Sequence, residues 1–415
     1  GYLWASLEPA GGFRRIMLGV AGLGCGLAFL TKGFLAVVVP VIVVIPYLVW
    51  QRRWKDLLVG LWLPLAVAAL VALPWSVLIQ QQEPDFWRYF FWEEHVRRFA
   101  AEDAQHVRPF WLFLAVFPAM ALPWTFLVPA AYRGLRLAEV DRSTIAYLLL
   151  WLLLPLLLFS IARGKLLTYV LPCFPALATL LAIGLAKGLD DSRLLAVRAG
   201  LRLQTGMWLV LILALVLNRF AGIGRPFFDA AEGRRWAALV TALAAGVVTL
   251  AYALRSPSTR RQILATGIAM APLLLAVPFV IPNATRQSKM PGNTLAALSA
   301  DLPRDVIVIS DGVYVHAVAW VLKRADIYLL SPGEMLYGSS YPEDKPRLLT
   351  VDGLRRLLED VNRQQVLFIA CDRDRRSMVQ AALDDAALTL SATPGPGGGL
   401  VTWTIPPNAT RQSSR

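Results

Sequence analysis

Long apolar runs separated by short polar segments constrain the fold of this chain more than any other feature. Each run is about 20 residues long, the length that an α-helix needs to cross a hydrocarbon core of about 30 Å. Because 57% of the 415 residues are hydrophobic, more than in a typical soluble domain, the sequence predicts a polytopic α-helical membrane protein. The nine predicted spans are residues 13–30, 34–50, 57–79, 110–131, 147–162, 168–186, 203–220, 236–254 and 262–281.

Lysine and arginine are distributed unevenly between the loops, and this predicts the orientation of the spans, because cytoplasmic loops are enriched in these residues. The predicted cytoplasmic clusters are Arg14-Arg15, Arg52-Arg53 with Lys55, Arg133 with Arg136 and Arg142, Lys187 with Arg193, Arg198 and Arg202, and Arg255 with Arg260 and Arg261. The segments between them are predicted to face outward, namely Lys32, residues 80–110, 163–165, 221–235 and everything after 282. The net charge of +13 follows from this bias and from contact with anionic membrane lipid, so no nucleic-acid partner is predicted.

The composition changes at about residue 282, where the apolar runs end. Short stretches rich in β-branched residues then alternate with helical patterns, which is typical of a small α/β domain. The predicted strands are 305–310, 325–330, 365–370 and 400–405, and the predicted helices are 313–323 and 351–364. We therefore predict a transmembrane region at 1–281, which includes an interfacial segment at 80–110, and a soluble α/β domain at 282–415.

Residues 81–110 crowd aromatic rings, charged residues and two histidines into one segment between two predicted spans. Such a helix fits at a membrane surface, with its rings at the level of the headgroups and its charges in water. If residues 86–99 are α-helical, Glu94, His95 and Arg98 share one face, because they lie three or four residues apart. Arg98 is then a candidate for binding a lipid phosphate through two parallel hydrogen bonds. The simpler interpretation is an anchor helix with a Glu94–Arg98 ion pair.

The same segment contains candidate metal ligands. Glu94, His95 and His106 offer oxygen and nitrogen atoms of the kind that zinc and manganese bind. Their spacing matches no closed zinc motif, and a solvated histidine is the simpler interpretation. A divalent metal at His95 and Glu94 is retained as one expectation.

Two other outward-facing segments carry cations. Arg163-Gly164-Lys165 joins two predicted spans in a very short loop, and Tyr169 follows it. Lys32 lies at the tip of the hairpin between the first two spans. Since this side of a membrane disfavours such charge, we expect Arg163 and Lys165 to approach an anion in the membrane plane, and Lys32 to reach the same surface. Ordinary loop cations and a lysine that extends toward the headgroups are the simpler alternatives.

Several familiar catalytic motifs are missing from the sequence. No segment matches a P-loop, a Rossmann glycine fingerprint, a GxSxG elbow or an HExxH helix. Acidic residues are nearly absent from the predicted spans, so the ion pathway of a transporter is not supported either.

Motifs along nearly the whole chain resemble those of the bacterial lipid A aminoarabinose transferases, which are GT-C membrane glycosyltransferases. The matching segments are Thr31-Lys32-Gly33-Phe34, Arg53-Trp54-Lys55-Asp56-Leu57, Leu73-Pro74-Trp75, residues 83–92, Glu94-His95-Val96-Arg97-Arg98-Phe99, Asp103-Ala104-Gln105-His106, Gly164 to Tyr169, Tyr337-Gly338, Tyr341-Pro342 and Asp372-Arg373-Asp374. The resemblance implies transfer of 4-amino-4-deoxy-L-arabinose from undecaprenyl phosphate to a lipid A phosphate. It also implies a Gram-negative inner membrane, a periplasmic active site and C-terminal domain, and resistance to cationic antimicrobial peptides such as polymyxin.

The resemblance further implies a catalytic Asp-Glu pair in a first periplasmic loop. Because the chain begins at Gly1 without a methionine, we expect that pair to lie before it, and no catalytic carboxylate is named. The phosphate-binding arginine and the metal-associated histidine of the family match Arg98 and His95. Its flexible capping loop matches residues 163–169, including Arg163 and Tyr169. The sequence departs from the family at Leu167, where proline is expected.

Three alternatives remain open from the sequence. A sibling GT-C enzyme, such as a protein O-mannosyltransferase, would use another polyprenyl-phosphate sugar or another acceptor. A transporter or a non-catalytic membrane scaffold belongs to a different class, and it predicts polar sites inside the spans, which the sequence lacks. An inactive truncated product of a true transferase gene is a third possibility for this chain.

Overall fold

The structure is a computed structural model that describes residues 12–97, 108–187, 195–360, 364–388, 390–395 and 399–407. The chain divides into two compact units. One comprises Gly1–Leu211 with Leu243–Pro272, and the other comprises Ile212–Ala242 with Leu273–Arg415. Each unit is built from different material, since apolar helices dominate the first and a mixed sheet organises most of the second.

Eleven α-helices precede the soluble region within the described residues, apart from a short interfacial segment. They are α1 (Gly12–Lys32), α2 (Leu35–Trp50), α3 (Trp62–Gln82), α4 (Leu112–Met120), α5 (Val128–Leu137), α6 (Arg142–Ile161), α7 (Phe174–Lys187), α8 (Leu195–Phe220), α9 (Gly233–Arg255), α10 (Thr259–Ile268) and α11 (Ala271–Val280). A helical turn at Phe86–Arg88 continues into a π-helix at Tyr89–Arg97, and residues 86–97 are called the interfacial helix below.

Seven helices in the described part of the chain are long and apolar enough to cross a membrane, or eight if one bent pair counts as a span. The bent pair falls in the predicted span 110–131, where α4 and the helix Trp124–Leu137 meet at 89°. The predicted span 34–50 corresponds to α2, which has only 16 residues. Residues 110–131 thus belong to a bent pair of helices rather than to one straight helix.

The apolar helices leave much of their hydrocarbon surface uncovered by protein. Leu70 is 68% exposed, Val210 is 64% exposed and Leu275 is 75% exposed. Exposed apolar area on this scale is not tolerated in water. The surface of these helices is therefore suited to contact with lipid.

Ion pairs join the start of α1 to the segment that follows α2. Arg14, near the start of α1, and Arg53, beyond the end of α2, both donate to the carboxylate of Asp56. Burial raises the pKa of this carboxyl, but the hydrogen bonds and charges of the two arginines outweigh burial and lower its pKa overall. Since α1 and α2 form a hairpin, its Lys32 turn lies at the opposite end from Asp56.

In the second unit, the exit of the last apolar helix is tied to the loop before α9. Arg235 donates to the carbonyl of Ile281 at 3.1 Å and to Oε1 of Glu232 at 2.9 Å. The same Glu232 oxygen accepts from the backbone N–H of Asn283 at 2.8 Å. The carboxylate of Glu232 is buried, and buried carboxylates need this kind of pairing.

The soluble domain contains a five-stranded mixed sheet with the order β2-β1-β3-β5-β4. The strands are β1 (Ile307–Ser310), β2 (Tyr328–Leu329), β3 (Leu367–Asp372), β4 (Thr393–Pro394) and β5 (Leu400–Ile405). Both β2 and β3 pair parallel to β1, whereas β5 is antiparallel to β3 and β4 is antiparallel to β5. The helices are α12 (Asn283–Lys289), α13 (Gly292–Leu298), α14 (Val315–Leu322), α15 (Val351–Glu359) and α16 (Arg376–Asp385).

Alternating side chains divide the core of this domain between the two faces of the sheet. Val308 and Phe368 pack with residues of α13 and α14, and Ile309 and Ile369 pack with residues of α15 and α16. This alternation is the two-residue period of a strand that is buried on both faces. The predicted strands 305–310, 325–330, 365–370 and 400–405 are confirmed, while β4, α12, α13 and α16 were not predicted.

Candidate functional site

The site is built around the turn between α1 and α2. Gly33 has a φ of +65°, a left-handed conformation that glycine adopts without steric cost. A Cβ atom at this position would lie 2.6 Å from Nε2 of His95 and 2.6 Å from Cζ of Phe90. The turn is therefore in direct contact with the interfacial helix, and the contact leaves no room for a side chain.

The interfacial helix does not have the α-helical period that the sequence suggested. Residues Tyr89–Arg97 are π-helical, so neighbours on one face are five residues apart rather than four. The hydroxyl of Tyr89 donates to Oε1 of Glu94 at 2.9 Å, and His95 contacts Phe90, both with i, i+5 spacing. Residues 89–97 are therefore π-helical rather than α-helical, and the shared face of Glu94, His95 and Arg98 stays a prediction, because Arg98 lies outside the described residues.

The imidazole of His95 is held in one orientation. Its Nδ1 lies 2.7 Å from the carbonyl oxygen of Phe90, and because a carbonyl only accepts, Nδ1 is the donor. The edges and faces of Phe34 and Phe90 enclose the ring, with centroids 5.3 Å and 4.7 Å away. The other nitrogen, Nε2, points toward the Gly33 turn, and in the neutral ring it is an acceptor.

Stacked and edge-to-face rings hold the interfacial helix on the hairpin. Phe29 of α1 stacks on Trp87 at 6.5 Å, and Phe34 meets Phe91 edge-on at 5.3 Å. Such ring pairs contribute about 0.5–1.5 kcal/mol each beyond their buried area. The aromatic run that predicted a membrane-surface helix thus also serves as the packing surface that positions His95.

Lys32 links this turn to the loop of residues 163–169. Its side chain is exposed, and Nζ lies 6.0 Å from the centroid of the Tyr169 ring, within the range of a cation–π contact. The Tyr169 ring also packs against Phe159 of α6 at 5.6 Å. Two segments that the sequence named separately are therefore neighbours, with an exposed ammonium group between them.

Lys165 is placed differently from Lys32. It is 5% exposed, and Nζ donates to the carbonyl oxygens of Arg108, at 3.1 Å, and of Ala162. Burial lowers the pKa of this amine. Because an ammonium has three donors, two carbonyls leave one for another acceptor. In this conformation Lys165 stabilises the loop, and its contact with a phosphate stays a prediction.

The backbone of the loop is compatible with a proline at position 167. A second tie to residue 108 runs through the backbone, where the N–H of Arg108 donates to the carbonyl of Arg163 at 3.3 Å. Leu166 has φ −110° and ψ 142°, the conformation favoured before proline, and Leu167 begins a 3₁₀-helix. Proline fits such a first helical position, so this backbone accepts either proline or leucine at residue 167.

Only two of the three predicted metal ligands, His95 and Glu94, lie within the described residues. No group of three or more His, Cys, Asp and Glu side chains suited to a metal occurs there, and His106 lies outside them. Nε2 of His95 is a suitable donor atom, whereas one oxygen of Glu94 accepts from Tyr89. A structural or catalytic zinc site needs at least three protein ligands, so no chemical step is derived through a metal.

Sequence reasoning did not identify the partners that fix these groups. The carbonyls of Phe90, Arg108 and Ala162 carry no sequence signal, because every residue has one. Gly33 did carry a signal, since a glycine after Thr31-Lys32 at a hairpin tip indicates a turn with positive φ.

Comparisons with known proteins were made for the whole chain. Residues 286–392 match the family model described as the C-terminal domain of arabinosyl transferase ArnT, and residues 7–90 match that of dolichyl-phosphate-mannose-protein mannosyltransferase. The fold is similar to the crystal structure of ArnT from Cupriavidus metallidurans bound to undecaprenyl phosphate. The TM-score is 0.70 at 20% identity, covering 97% of this chain and 72% of that one.

Two curated relatives carry the same name, undecaprenyl phosphate-alpha-4-amino-4-deoxy-L-arabinose arabinosyl transferase. The Edwardsiella ictaluri protein is 38% identical over 387 residues, which is 92% of this chain and 68% of the relative. The Pseudomonas paraeruginosa protein is 39% identical over 363 residues, which is 86% of this chain and 64% of the relative. The chain thus spans about two thirds of the length of these relatives, and it belongs to the undecaprenyl phosphate-aminoarabinose arabinosyl transferase family.

Proposed function

We propose that the protein transfers 4-amino-4-deoxy-L-arabinose from undecaprenyl phosphate to a phosphate of lipid A. The names of its relatives support the sugar and the lipid carrier. The observation that carries the proposal is the exposed ammonium of Lys32, which lies beside the ring of Tyr169 and next to the Gly33 turn that contacts His95. This is a cation at the end of a membrane helix, where the phosphate of a lipid carrier can reach it.

In the proposed reaction, a phosphate oxygen of lipid A attacks the anomeric carbon of the sugar. The bond from that carbon to the oxygen of undecaprenyl phosphate breaks, and its electron pair leaves with the carrier phosphate. Negative charge therefore grows on that phosphate in the transition state, where a fixed cation stabilises it. At 4 Å and an effective dielectric constant of about 20, the attraction between unit charges is about 4 kcal/mol.

Three cations are assigned to the carrier phosphate in this proposal. Lys32 is already exposed beside Tyr169, while Lys165 would approach as its loop rearranges around the donor. Arg98, which follows the interfacial helix in the sequence, would supply a bidentate contact. The donor brings its activation energy in the phosphate linkage, so the chemistry needs no nucleotide motif.

The site and the soluble domain are proposed to face the periplasm, in the inner membrane of a Gram-negative bacterium. The distribution of cations supports this orientation, because the Arg14–Asp56–Arg53 cluster lies at the opposite end of the hairpin from Lys32. Addition of an amino sugar to lipid A would lower its negative charge and weaken the binding of cationic antimicrobial peptides.

The proposal is tested by mass spectrometry of lipid A from a Gram-negative strain that lacks its own transferase and receives the complete reading frame. A lipid A species that carries aminoarabinose, and that disappears with Arg98→Ala, is the expected result. Unmodified lipid A from a well-expressed, membrane-inserted protein would reject this sugar and acceptor. The match of residues 7–90 to mannosyltransferases makes a sibling polyprenyl-phosphate-sugar transferase the second candidate.

A further inference from the structure

An apolar cavity lies in the first unit, away from the Lys32 turn. It has a volume of about 630 Å³ and is lined by the junction of α4 and α5, by α7 and by the first half of α10. Thirteen of its fourteen lining residues are apolar, and the remaining one is Arg260. The volume falls within the range of about 300–1,000 Å³ that is usual for small-molecule sites.

The cavity follows from how the surrounding helices meet. A Cβ at Gly134 of α5 would lie 1.9 Å from the carbonyl oxygen of Gly184 in α7, so these helices touch backbone to backbone at that point. At the other end of α7, Phe174 packs on Phe117 of α4 with ring centroids 5.2 Å apart, and α4 meets the helix Trp124–Leu137 at 89°. The cavity between these contacts is also bordered by α10, where Gly267 faces the ring of Trp124.

Arg260 gives this otherwise apolar cavity a charged end. It is exposed, and within the described residues its guanidinium makes no hydrogen bond and no ion pair. It is the second residue of α10, in a loop that the charge distribution assigns to the cytoplasmic side. Seven residues separate it from Gly267, so α10 rises about 10 Å from the charge along the apolar wall.

We propose that this cavity binds one acyl chain of an anionic glycerophospholipid, whose phosphate is held by Arg260. Charge complementarity supports this occupant, since basic pockets between membrane helices on the cytoplasmic side bind anionic headgroups. A guanidinium binds phosphate oxygens through two parallel hydrogen bonds, and the 10 Å of apolar wall covers the first part of an acyl chain. A zwitterionic lipid fits the wall equally well but gains less from the cation.

Native mass spectrometry of the full-length protein tests this proposal. The protein is purified and presented with phosphatidylglycerol, phosphatidylethanolamine and undecaprenyl phosphate in equal amounts. Arg260→Ala is compared with Arg261→Ala, an exposed neighbour that does not line the cavity. Ala182→Phe, which narrows the cavity and keeps the cation, serves as a second variant, and all proteins are first shown to be monodisperse.

The expected result is that the amount of phosphatidylglycerol adduct falls about tenfold in Arg260→Ala, because loss of one hydrogen bond to a charged group weakens the affinity by about that factor. The adduct should persist in Arg261→Ala and fall in Ala182→Phe. Equal adducts in the wild type, Arg260→Ala and Ala182→Phe would overturn the proposal. So would loss of an undecaprenyl phosphate or phosphatidylethanolamine adduct in Arg260→Ala while the phosphatidylglycerol adduct persists, since that would identify a different occupant of the cavity.

Discussion

Gly33→Ala is the substitution for which the structure gives the sharpest expectation. At a φ of +65°, a residue with a side chain costs about 1–2 kcal/mol relative to glycine. The added methyl group would lie 2.6 Å from Nε2 of His95 and from Cζ of Phe90, whereas ordinary contacts are about 3.5 Å or longer. The interfacial helix must then move by about 1 Å at His95. A displacement of that size in a reacting constellation can lower the rate about 100-fold.

The assay is the fraction of lipid A that carries aminoarabinose, together with the thermal unfolding midpoint of the purified protein. Gly24→Ala is the matched control, because an added Cβ there meets nothing within 4 Å. Alanine inside a helix is favoured over glycine by about 1 kcal/mol, so this control should be at least as stable as the wild type. If Gly33→Ala modified lipid A as well as Gly24→Ala does, the contact between the turn and His95 would have no part in function.

Three further results are expected. Tyr89→Phe removes the hydrogen bond to Glu94 and should lower stability by about 1 kcal/mol, measured by thermal unfolding; an unchanged midpoint would contradict the i, i+5 pairing. Lys165→Met should increase hydrogen exchange across residues 163–169, because the side chain no longer ties this loop to the carbonyls of Arg108 and Ala162, and unchanged protection would refute this tie. In the soluble domain, the hydrogen bond from Arg324 holds the pKa of Asp326 at about 2, below its ordinary 3.8. Stability from this pair should therefore be present above pH 4 and be lost as pH falls toward 2; Asp326→Asn should remove that dependence.

The sequence predicted the apolar membrane helices and the strands, because these depend on apolar period and composition. It did not predict the π-helix at Tyr89–Arg97, since hydrophobic pattern alone does not distinguish i+4 from i+5 pairing in a run of nine residues. The carbonyl contact of His95 with Phe90 becomes visible only once that geometry is known.

The bend in residues 110–131 shows a similar limit. Its apolar residues satisfy the composition of a span, but prolines at positions 118 and 123 interrupt the helical hydrogen bonds, and the two halves meet at 89°. The neighbours of Lys165 were likewise hidden, because its acceptors are backbone carbonyls rather than acidic side chains.

The central claim is that Lys32 faces the phosphate of the donor lipid, and the transfer rate of the purified full-length enzyme tests it most directly. Aminoarabinose transfer to lipid A is measured for Lys32→Ala, Lys32→Arg and Lys55→Ala, the last being an exposed lysine beside Asp56 at the other end of the hairpin. We expect Lys32→Ala to lower kcat by about 10- to 100-fold, because it removes one group that stabilises the charge of the leaving phosphate. Lys32→Arg should restore part of this rate, and Lys55→Ala should leave kcat unchanged. Equal rates for Lys32→Ala and Lys55→Ala would contradict it.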